Sequence, residues 1–224
     1  MKAFILAAGE GRRMRPLTES IPKPLIEVAG KPLILHHIEK LRAVGVTDIV
    51  INARWLAQRL KDSLGDGAEH GVSIQWSEET EKLETGGGIR NALNRLDEEP
   101  FLLISGDVWC EISFANLVAR SLGENLGHLV LVENPEHNPK GDFGLRGEKI
   151  SKSVLDLVAY TYSGIGILSP KLFLKYRRHE RCLPLVRLLA DAIDDGLLTG
   201  ELYSGSWCDV GTPERLRALR EELG

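Results

Sequence analysis

Cysteine is scarce in this sequence, and its spacing excludes two kinds of protein. The 224 residues include three cysteines, Cys110, Cys182 and Cys208, and no two of them form a Cys-x-x-Cys pair. This pattern excludes a zinc knuckle and a disulfide-stabilised secreted domain. We interpret all three as buried, reduced thiols, which fits a reducing cytoplasm.

Long hydrophobic runs and an excess of positive charge are also absent. No apolar stretch approaches the roughly 20 residues that span a bilayer, and the first apolar run, which ends at Gly9, is too short for the core of a signal peptide. The 28 basic and 32 acidic residues give a net charge of −4, which argues against a protein that coats nucleic acid. We therefore expect a cytoplasmic protein with neither a membrane nor a nucleic-acid partner.

Apolar runs alternate with helical patterns over the first hundred residues. The pattern predicts four strands and three helices: strands Ala3–Ala8, Asp48–Asn52, Val72–Trp76 and Phe101–Ser105, and helices Pro32–Val44, Trp55–Leu64 and Ile89–Leu96. This alternation predicts an α/β fold, Rossmann-like, with a mixed, mostly parallel sheet flanked by helices. Ligands in such folds bind beyond the carboxyl ends of the strands.

The second half of the chain is less regular. The predicted elements there are strands His128–Asn134 and Ala159–Leu168, a polar loop Pro135–Gly147, and helices Leu183–Ile193 and Pro213–Leu223. Thr212 precedes a proline at the first position of the last helix and is its predicted N-cap. We expect one domain over residues 1–224, in which residues 135–200 form a lid or subdomain.

A glycine- and arginine-rich stretch, AAGEGRRMRP, follows the first predicted strand. Gly9 and Gly11 let backbone N–H groups approach an anion, and Arg12 and Arg13 offer guanidinium forks for phosphate oxygens. The stretch is neither a Walker loop nor a Rossmann fingerprint, because it lacks their Gly-Lys-Ser/Thr and third glycine. The alternative is a glycine turn with solvated arginines.

Ten residues after Arg13, Lys23 lies between Pro22 and Pro24. Taken alone, it is a surface lysine in a proline turn. Together, however, the glycine-rich turn, Arg13, the Pro-Leu-Thr at 16–18 and the Pro-Lys-Pro at 22–24 resemble the signature of the sugar-1-phosphate nucleotidyltransferases. The chain stops after its last predicted helix, so we expect none of the C-terminal β-helix that extends many relatives.

The resemblance implies an enzyme that joins a nucleoside triphosphate to a sugar 1-phosphate and releases pyrophosphate. It also implies that the first two segments bind the nucleotide through Ala8, Gly9, Gly11, Arg12, Arg13 and Lys23. In this reading Arg13 stabilises the leaving pyrophosphate, with Arg12 or Arg15 assisting. Lys23 contacts the α-phosphate or the sugar phosphate.

Two aspartates stand where the family holds a metal ion. ISGDVW at 104–109 resembles its Gly-Asp at the end of a central strand, and WCDVGTPERL at 207–216 resembles its Trp-x-Asp-x-Gly-Thr-Pro segment. The resemblance makes Asp107 and Asp209 ligands of Mg²⁺, an ion that prefers one or two carboxylates plus phosphate and water oxygens. The alternatives are a strand-end turn residue at Asp107 and a local cap at Asp209.

The segment LETGGGI at 83–89 resembles the family's loop around the base and ribose, which implies nucleotide contacts from Thr85, Gly86 and Gly87. Glu84 replaces a glycine of the usual loop, and its carboxylate either accepts from the ribose or base or caps the next helix. Upstream, Glu79 is favoured over Glu78 as the acceptor that reads the base, and uracil and guanine both stay open.

The acceptor sugar is expected to meet TYSGIGIL at 161–168, which resembles the family's sugar-side strand. The sugar-binding residues implied are Asp107, Gly144, Tyr162, Ser163 and Gly164. The Glu-Lys-Pro that many relatives carry before this strand is missing, so Lys149 and Lys152 are the candidates for the sugar phosphate.

The short chain, LETGGGI and GDFGL at 141–145 favour one branch of the family. Its substrates are UTP and N-acetylmuramate α-1-phosphate, which serve bacterial cell-wall recycling. Arg146, Arg187 and Lys149 are candidates for the lactyl carboxylate of that sugar. The alternatives are transfer of GMP to mannose 1-phosphate and a non-catalytic regulator that binds nucleotide sugars. We expect a monomer or a weak homodimer.

Overall fold

Thirteen strands and seven α-helices occur in the computed structural model, which describes residues 1–152, 158–176 and 180–224. The strands are β1 (Ala3–Leu6), β2 (Glu27–Val28), β3 (Lys31–Pro32), β4 (Asp48–Ala53), β5 (Ser73–Glu78), β6 (Phe101–Ser105), β7 (Val108–Cys110), β8 (Gly127–Val132), β9 (Phe143–Arg146), β10 (Lys149–Ser151), β11 (Ala159–Leu168), β12 (Leu198–Tyr203) and β13 (Trp207–Asp209). The helices are α1 (Leu17–Ser20), α2 (Leu33–Ala43), α3 (Ala57–Leu64), α4 (Glu84–Asn91), α5 (Phe114–Ala119), α6 (Leu185–Asp194) and α7 (Pro213–Leu223).

Nine strands form one mixed sheet in the order β5-β4-β1-β6-β11-β8-β12-β10-β9. Strands β5, β4, β1 and β6 pair in parallel, and β12 pairs in parallel with β8. β11 and β10 run against their neighbours, so they alone of these nine strands oppose the common direction. This arrangement confirms the predicted α/β fold with a mixed, mostly parallel sheet.

The apolar strands are buried on both faces because helices cover both sides of the sheet. In β1, Ile5 packs into one hydrophobic cluster with Ile34 and Ile38 of α2. The adjacent residue Phe4 packs into the opposite cluster with Leu188 of α6. The unbroken apolar run at the N-terminus is therefore the signature of a central strand with two covered faces.

Most predicted elements are confirmed. Strands β1, β4, β5, β6, β8 and β11 and helices α2, α3, α6 and α7 begin and end within two residues of their predicted bounds. The Thr212 hydroxyl accepts from Arg215 N at 3.4 Å, which confirms the predicted N-cap of α7. In the described ranges, no helix is long and apolar enough to cross a membrane.

Two predictions for the second half are wrong. The predicted loop Pro135–Gly147 contains strand β9, which pairs with β10 and β11 and buries Phe143. The cysteine prediction fails at Cys182, which is exposed in the loop before α6, while Cys110 is buried and Cys208 is half-buried. Strands β9 to β12 extend the main sheet, and the lid or subdomain at 135–200 stays a prediction.

Helix α4 begins at Glu84, although the sequence predicts a start at Ile89. Three consecutive glycines oppose helix formation by their own propensity. Packing reverses this preference, since a Cβ atom at Gly86 would lie 2.7 Å from the Leu183 carbonyl oxygen. A Cβ atom at Gly87 would also be too close to its neighbours, and the N–H of Gly87 donates to the same Leu183 oxygen at 2.9 Å. Tertiary contact with the segment before α6 thus explains the glycines.

Glu84 is a non-glycine residue in the left-handed region, with φ at 58°. We expect Glu84→Gly to stabilise the protein by about 1 kcal/mol, because relief of a left-handed side chain exceeds the entropy that glycine adds to the unfolded chain. Urea denaturation measures the change. Glu84→Ala is the matched control, because it removes the same carboxylate but keeps the strained Cβ. An equal gain in both variants would contradict the strain argument.

Candidate active site

Two cavities open at the carboxyl ends of the central strands. The first has a volume of about 430 Å³ and lies between the turn after β1 and the start of α4. The second, of about 770 Å³, lies between β11, α6 and β13. Thr85, Ser105 and Asp107 line both cavities, so the two meet beside the end of β6.

The structure brings together most of the residues that the sequence selects. The first cavity is lined by the predicted nucleotide residues Ala8, Gly9, Gly11, Arg12, Lys23, Glu79 and Thr85. The second is lined by the predicted sugar residues Asp107, Tyr162, Ser163 and Gly164, together with Arg13 and Asp209. Gly86, Gly87 and Gly144 line neither cavity, since the first two contact the segment before α6 and the third is inside β9.

The conformation of the glycine-rich turn is fixed by the backbone of Gly11 and by one hydrogen bond. Gly11 has φ at +59°, and a Cβ atom there would lie 2.8 Å from Thr18 Cγ2. The Thr18 hydroxyl donates to the Gly11 carbonyl at 2.8 Å and fixes the turn. Glycine is therefore required at Gly11 both by its backbone conformation and by the available space.

Glu10 holds two arginines at the mouth of the first cavity. Its carboxylate accepts from Arg12 Nε at 2.6 Å and from Arg54 Nη2 at 2.8 Å. The hydrogen bonds from Arg12 and Arg54 lower the pKa of Glu10 to about 2. Glu10 therefore stays ionised and orients both guanidinium groups toward the space beside Gly9 and Gly11.

Asp107 and Lys23 form an ion pair where the two cavities join. Lys23 Nζ donates to Asp107 Oδ2 at 2.5 Å, and the lysine side chain is only 11% exposed. The flanking prolines fix the backbone around Lys23, which begins a short 3₁₀ turn. A buried ammonium beside a carboxylate suits phosphate groups that arrive at the junction.

Asp209 is positioned by a small antiparallel ribbon of β7 and β13. Asp209 pairs with Val108, and Val210 N donates to the Asp107 carbonyl at 2.9 Å. The Asp209 carboxylate is bound by the Arg215 guanidinium and lies 3.1 Å from His137 Nε2. The ribbon thus carries the second aspartate, from near the C-terminus, to the end of β6.

The two carboxylates fit a hard divalent cation. Asp107 and Asp209 both line the second cavity and supply only oxygen ligands. No group of three or more His, Cys, Asp or Glu that suits a metal ion occurs in the part of the chain that the structure describes. Such a site needs phosphate and water oxygens to complete the coordination, as Mg²⁺ sites commonly do.

Glu79 occupies the inner wall of the first cavity. Its carboxylate accepts from Asn52 Nδ2 at 2.6 Å, while Asn52 Oδ1 accepts from Ala7 N at 2.7 Å. Burial raises the pKa of Glu79. The neighbouring Glu78 is exposed and pairs with Lys61, so the structure places Glu79 and not Glu78 in the cavity.

The sugar-side strand contains a β-bulge between Tyr162 and Ile165. The Ser163 hydroxyl donates to the Val130 carbonyl at 2.7 Å, and the Ser163 carbonyl accepts from Trp207 Nε1 at 3.0 Å. Gly164 has φ at +79° and faces Ser105. The Ser163 side chain therefore stabilises the bulge, and its position in the sequence does not reveal this role.

Several lining or supporting residues are absent from the sequence prediction. Asn52 lies one residue before the end of β4, at the same sheet edge as Ser105, a signal that the sequence contains. Arg54 and His137 lie in connecting segments and reach the site only through tertiary contacts. An apolar wall that the sequence prediction does not contain also lines the second cavity, with Leu103, Phe143, Leu185, Val186 and Leu189.

The raised pKa of Glu79 gives a stability prediction. The folded state disfavours its ionised form, so the wild-type protein loses stability as the pH rises above the ordinary glutamate value of 4.5. Glu79→Gln keeps an oxygen acceptor for Asn52 and removes that charge. We expect it to be at least as stable as the wild type at pH 8, with a smaller advantage at pH 4.

Thermal unfolding at the two pH values measures this difference. Glu78→Gln is the control, because it removes a neighbouring exposed carboxylate of the same type. A Glu79→Gln variant whose advantage grows toward pH 4 would show that burial does not raise the pKa of Glu79.

Comparisons with known proteins agree with this geometry. The profile of the nucleotidyl transferase family matches residues 2–223. An N-acetylmuramate alpha-1-phosphate uridylyltransferase from Neisseria meningitidis serogroup B is 45% identical over 100% of this chain and 99% of its own. A mannose-1-phosphate guanyltransferase from Gibberella zeae is 35% identical over 96% of this chain, which spans only 62% of that relative.

Two solved structures share the fold. HddC from Yersinia pseudotuberculosis, complexed with GMP-PN, has a TM-score of 0.79 and 25% identity over 100% of this chain and 99% of its own. A Bacillus anthracis protein provisionally named a glucose-1-phosphate thymidylyltransferase has a TM-score of 0.87 at 24% identity, over 100% of this chain and 95% of its own. The profile match and the full-length relative confirm the family predicted from the glycine-rich turn and the Pro-Lys-Pro: this chain belongs to the nucleotidyl transferase family.

Proposed function

We propose that this chain transfers UMP from UTP to N-acetylmuramate α-1-phosphate, giving UDP-N-acetylmuramate and pyrophosphate, a reaction of cell-wall recycling. The observation that carries the proposal is the pair of cavities that meet at Asp107. The first offers a glycine-rich turn, cations and a carboxylate for a nucleoside triphosphate. The second offers polar groups and an apolar wall for a sugar. A shared junction lets the two phosphates meet.

The choice of sugar is supported by the wall of the second cavity. Phe143, Leu185, Val186 and Leu189 face this space, and Val186 is 62% exposed. N-acetylmuramate carries acetyl and lactyl methyl groups, which gain from contact with apolar side chains. Mannose has no methyl groups to place against this wall. The full-length relative from Neisseria carries the name of the muramate enzyme.

Two other functions remain as alternatives. Transfer of GMP to mannose 1-phosphate is supported by the Gibberella relative and by a carboxylate at Glu79 that suits the N–H donors of guanine as well. A non-catalytic binder of nucleotide sugars would keep the fold. Such a binder does not need Lys23, Asp107 and Asp209 together at the junction.

In the proposed reaction, an oxygen of the sugar phosphate attacks the α-phosphorus of UTP in line. The bond from that phosphorus to the bridging oxygen breaks, and pyrophosphate leaves with the electron pair. Lys23 neutralises charge on the two phosphates as they meet. Arg12 acts on the triphosphate of UTP from the first cavity, and Arg13 acts from the second cavity, where the sugar phosphate enters. The rate then depends mainly on position and charge stabilisation, since the protein forms no covalent bond.

Asp107 and Asp209 are the residues that would hold Mg²⁺. When bound, the ion neutralises part of the charge on both phosphates and fixes their oxygens relative to each other. The ion pairs with Lys23 and Arg215 orient the two carboxylates toward the junction.

Glu79 and Glu84 are proposed to recognise the nucleoside. Glu79 has one oxygen engaged by Asn52 and lines the first cavity, where its other oxygen suits the imide N–H of uracil. Glu84 lines both cavities at the start of α4, where its carboxylate pairs with Lys82 at 2.6 Å. A strained residue at such a junction is typical of a functional position, which here suits a ribose hydroxyl.

The direct test is pyrophosphate release with UTP or GTP, each combined with N-acetylmuramate 1-phosphate, N-acetylglucosamine 1-phosphate or mannose 1-phosphate. We expect turnover with UTP and the muramate sugar to exceed the other pairs by at least about tenfold, the scale of one misplaced substrate group. Highest turnover with GTP and mannose 1-phosphate would establish the first alternative. No pyrophosphate release with any of the six pairs would favour the non-catalytic alternative.

The junction is tested by Asp107→Asn, which keeps the size of the side chain and removes its charge. We expect kcat to fall at least about 100-fold, as on loss of one electrostatic catalytic group, with the fold unchanged by circular dichroism. Asp97→Asn is the matched control, because Asp97 also pairs with a lysine, Lys2 at 2.8 Å, but lies outside both cavities. Near-normal turnover by the Asp107 variant would remove this residue from the reaction.

A further inference from the structure

The phosphate of the acceptor sugar needs a cation, and the lysines that precede the sugar-side strand do not supply one. Lys149 is exposed in β10, where it pairs across the sheet with Arg146 and Thr199. Lys152 forms an ion pair with Asp194 at 2.5 Å. Neither lysine lines either cavity. Another positive group must therefore face a phosphate that enters the second cavity.

Arg215, in the first turn of α7, lies beside that cavity and uses only part of its hydrogen-bonding capacity. Its Nη1 atom binds Asp209 and lies 2.6 Å from His137 Nε2. Within residues 1–152, 158–176 and 180–224, the buried Nε and Nη2 atoms of Arg215 have no hydrogen-bond partner. Buried guanidinium donors without partners are unfavourable, so their presence indicates an anion that completes the set.

Gly211 provides a second and independent observation. A Cβ atom at Gly211 would collide with the Arg215 guanidinium and would lie 3.2 Å from Arg13 Nη2. Because Gly211 has no side chain, two guanidinium groups from distant parts of the chain can pack next to it. Asp209 is the carboxylate that binds one of them, so positive charge remains for a further anion.

We propose that Arg215, with Arg13 beside it, binds the phosphomonoester of the acceptor sugar 1-phosphate. Nη1 stays on Asp209, while Nε and Nη2 turn to the phosphate oxygens. His137, which is 38% exposed on the cavity side, moves aside as the sugar phosphate enters. Arg215 thus replaces the missing lysine of the sugar side. This inference rests on the proposed function only for the class of acceptor.

The experiment compares Arg215→Lys with Arg217→Lys, an identical change at an exposed position on the same helix. Calorimetry measures the Kd of N-acetylmuramate 1-phosphate in the presence of Mg²⁺ and a non-hydrolysable UTP analogue. The Kd of the analogue is measured separately, and unphosphorylated N-acetylmuramate tests the need for the phosphate. Gly211→Ala is a second variant, because it displaces the guanidinium while Arg215 stays in the chain.

We expect Arg215→Lys and Gly211→Ala to raise the Kd of the sugar phosphate about tenfold, since a lysine cannot reproduce a bidentate fork. Arg217→Lys should change neither Kd, and the analogue should bind all variants equally. An increase below about fivefold for Arg215→Lys, or an equal increase for the analogue, would overturn the assignment of Arg215. Failure of the wild-type protein to bind any of the three sugar phosphates would instead overturn the proposed function and this inference with it.

Discussion

The candidate site depends on the antiparallel pairing of β7 with β13. This short ribbon joins the end of β6 to a segment near the C-terminus, with Asp209 opposite Val108 and the Val210 amide on the Asp107 carbonyl. Trp207 extends the connection to the bulge in β11 through its indole N–H. One local set of backbone hydrogen bonds therefore orders the two carboxylates and the sugar-side strand at once.

Several unfavourable features of this structure lie at or beside the two cavities. Glu84 adopts a left-handed backbone, Arg215 has unpartnered donors, and burial raises the pKa of Glu79. The Tyr162 hydroxyl, beside the second cavity, is buried without a hydrogen-bond partner in the described part of the chain. The stability supplied by the core thus offsets a site arranged for ligands.

Much of the fold follows from sequence because the central strands read as unbroken apolar runs. The helix at Glu84 does not, since three glycines disfavour it until the segment before α6 occupies the space beside them. Strand β9 is hidden for a similar reason: the prolines and glycines of the segment at 135–147 signal a loop, and only pairing with β10 and β11 makes β9 a strand.

The same distinction between local pattern and tertiary packing applies to the residues of the candidate site. Arg13, Lys23, Asp107 and Asp209 stand in local motifs that the sequence displays, and the structure brings them to one junction. Arg54 and His137 have no local signature, because each reaches the site by packing between segments far apart in the chain. The role of Gly211 becomes visible only when two arginines are seen against it.

The ion pairs of Lys23 with Asp107 and of Arg215 with Asp209 have a consequence for how this protein matures. Each carboxylate already has an internal counter-charge, so the polypeptide does not need a divalent ion to overcome their repulsion while it folds. In domains that fold around a metal, by contrast, binding and folding are one event. In the proposed metal site they are separate events, and the supply of divalent cation would govern how many folded molecules are active, not how many molecules fold.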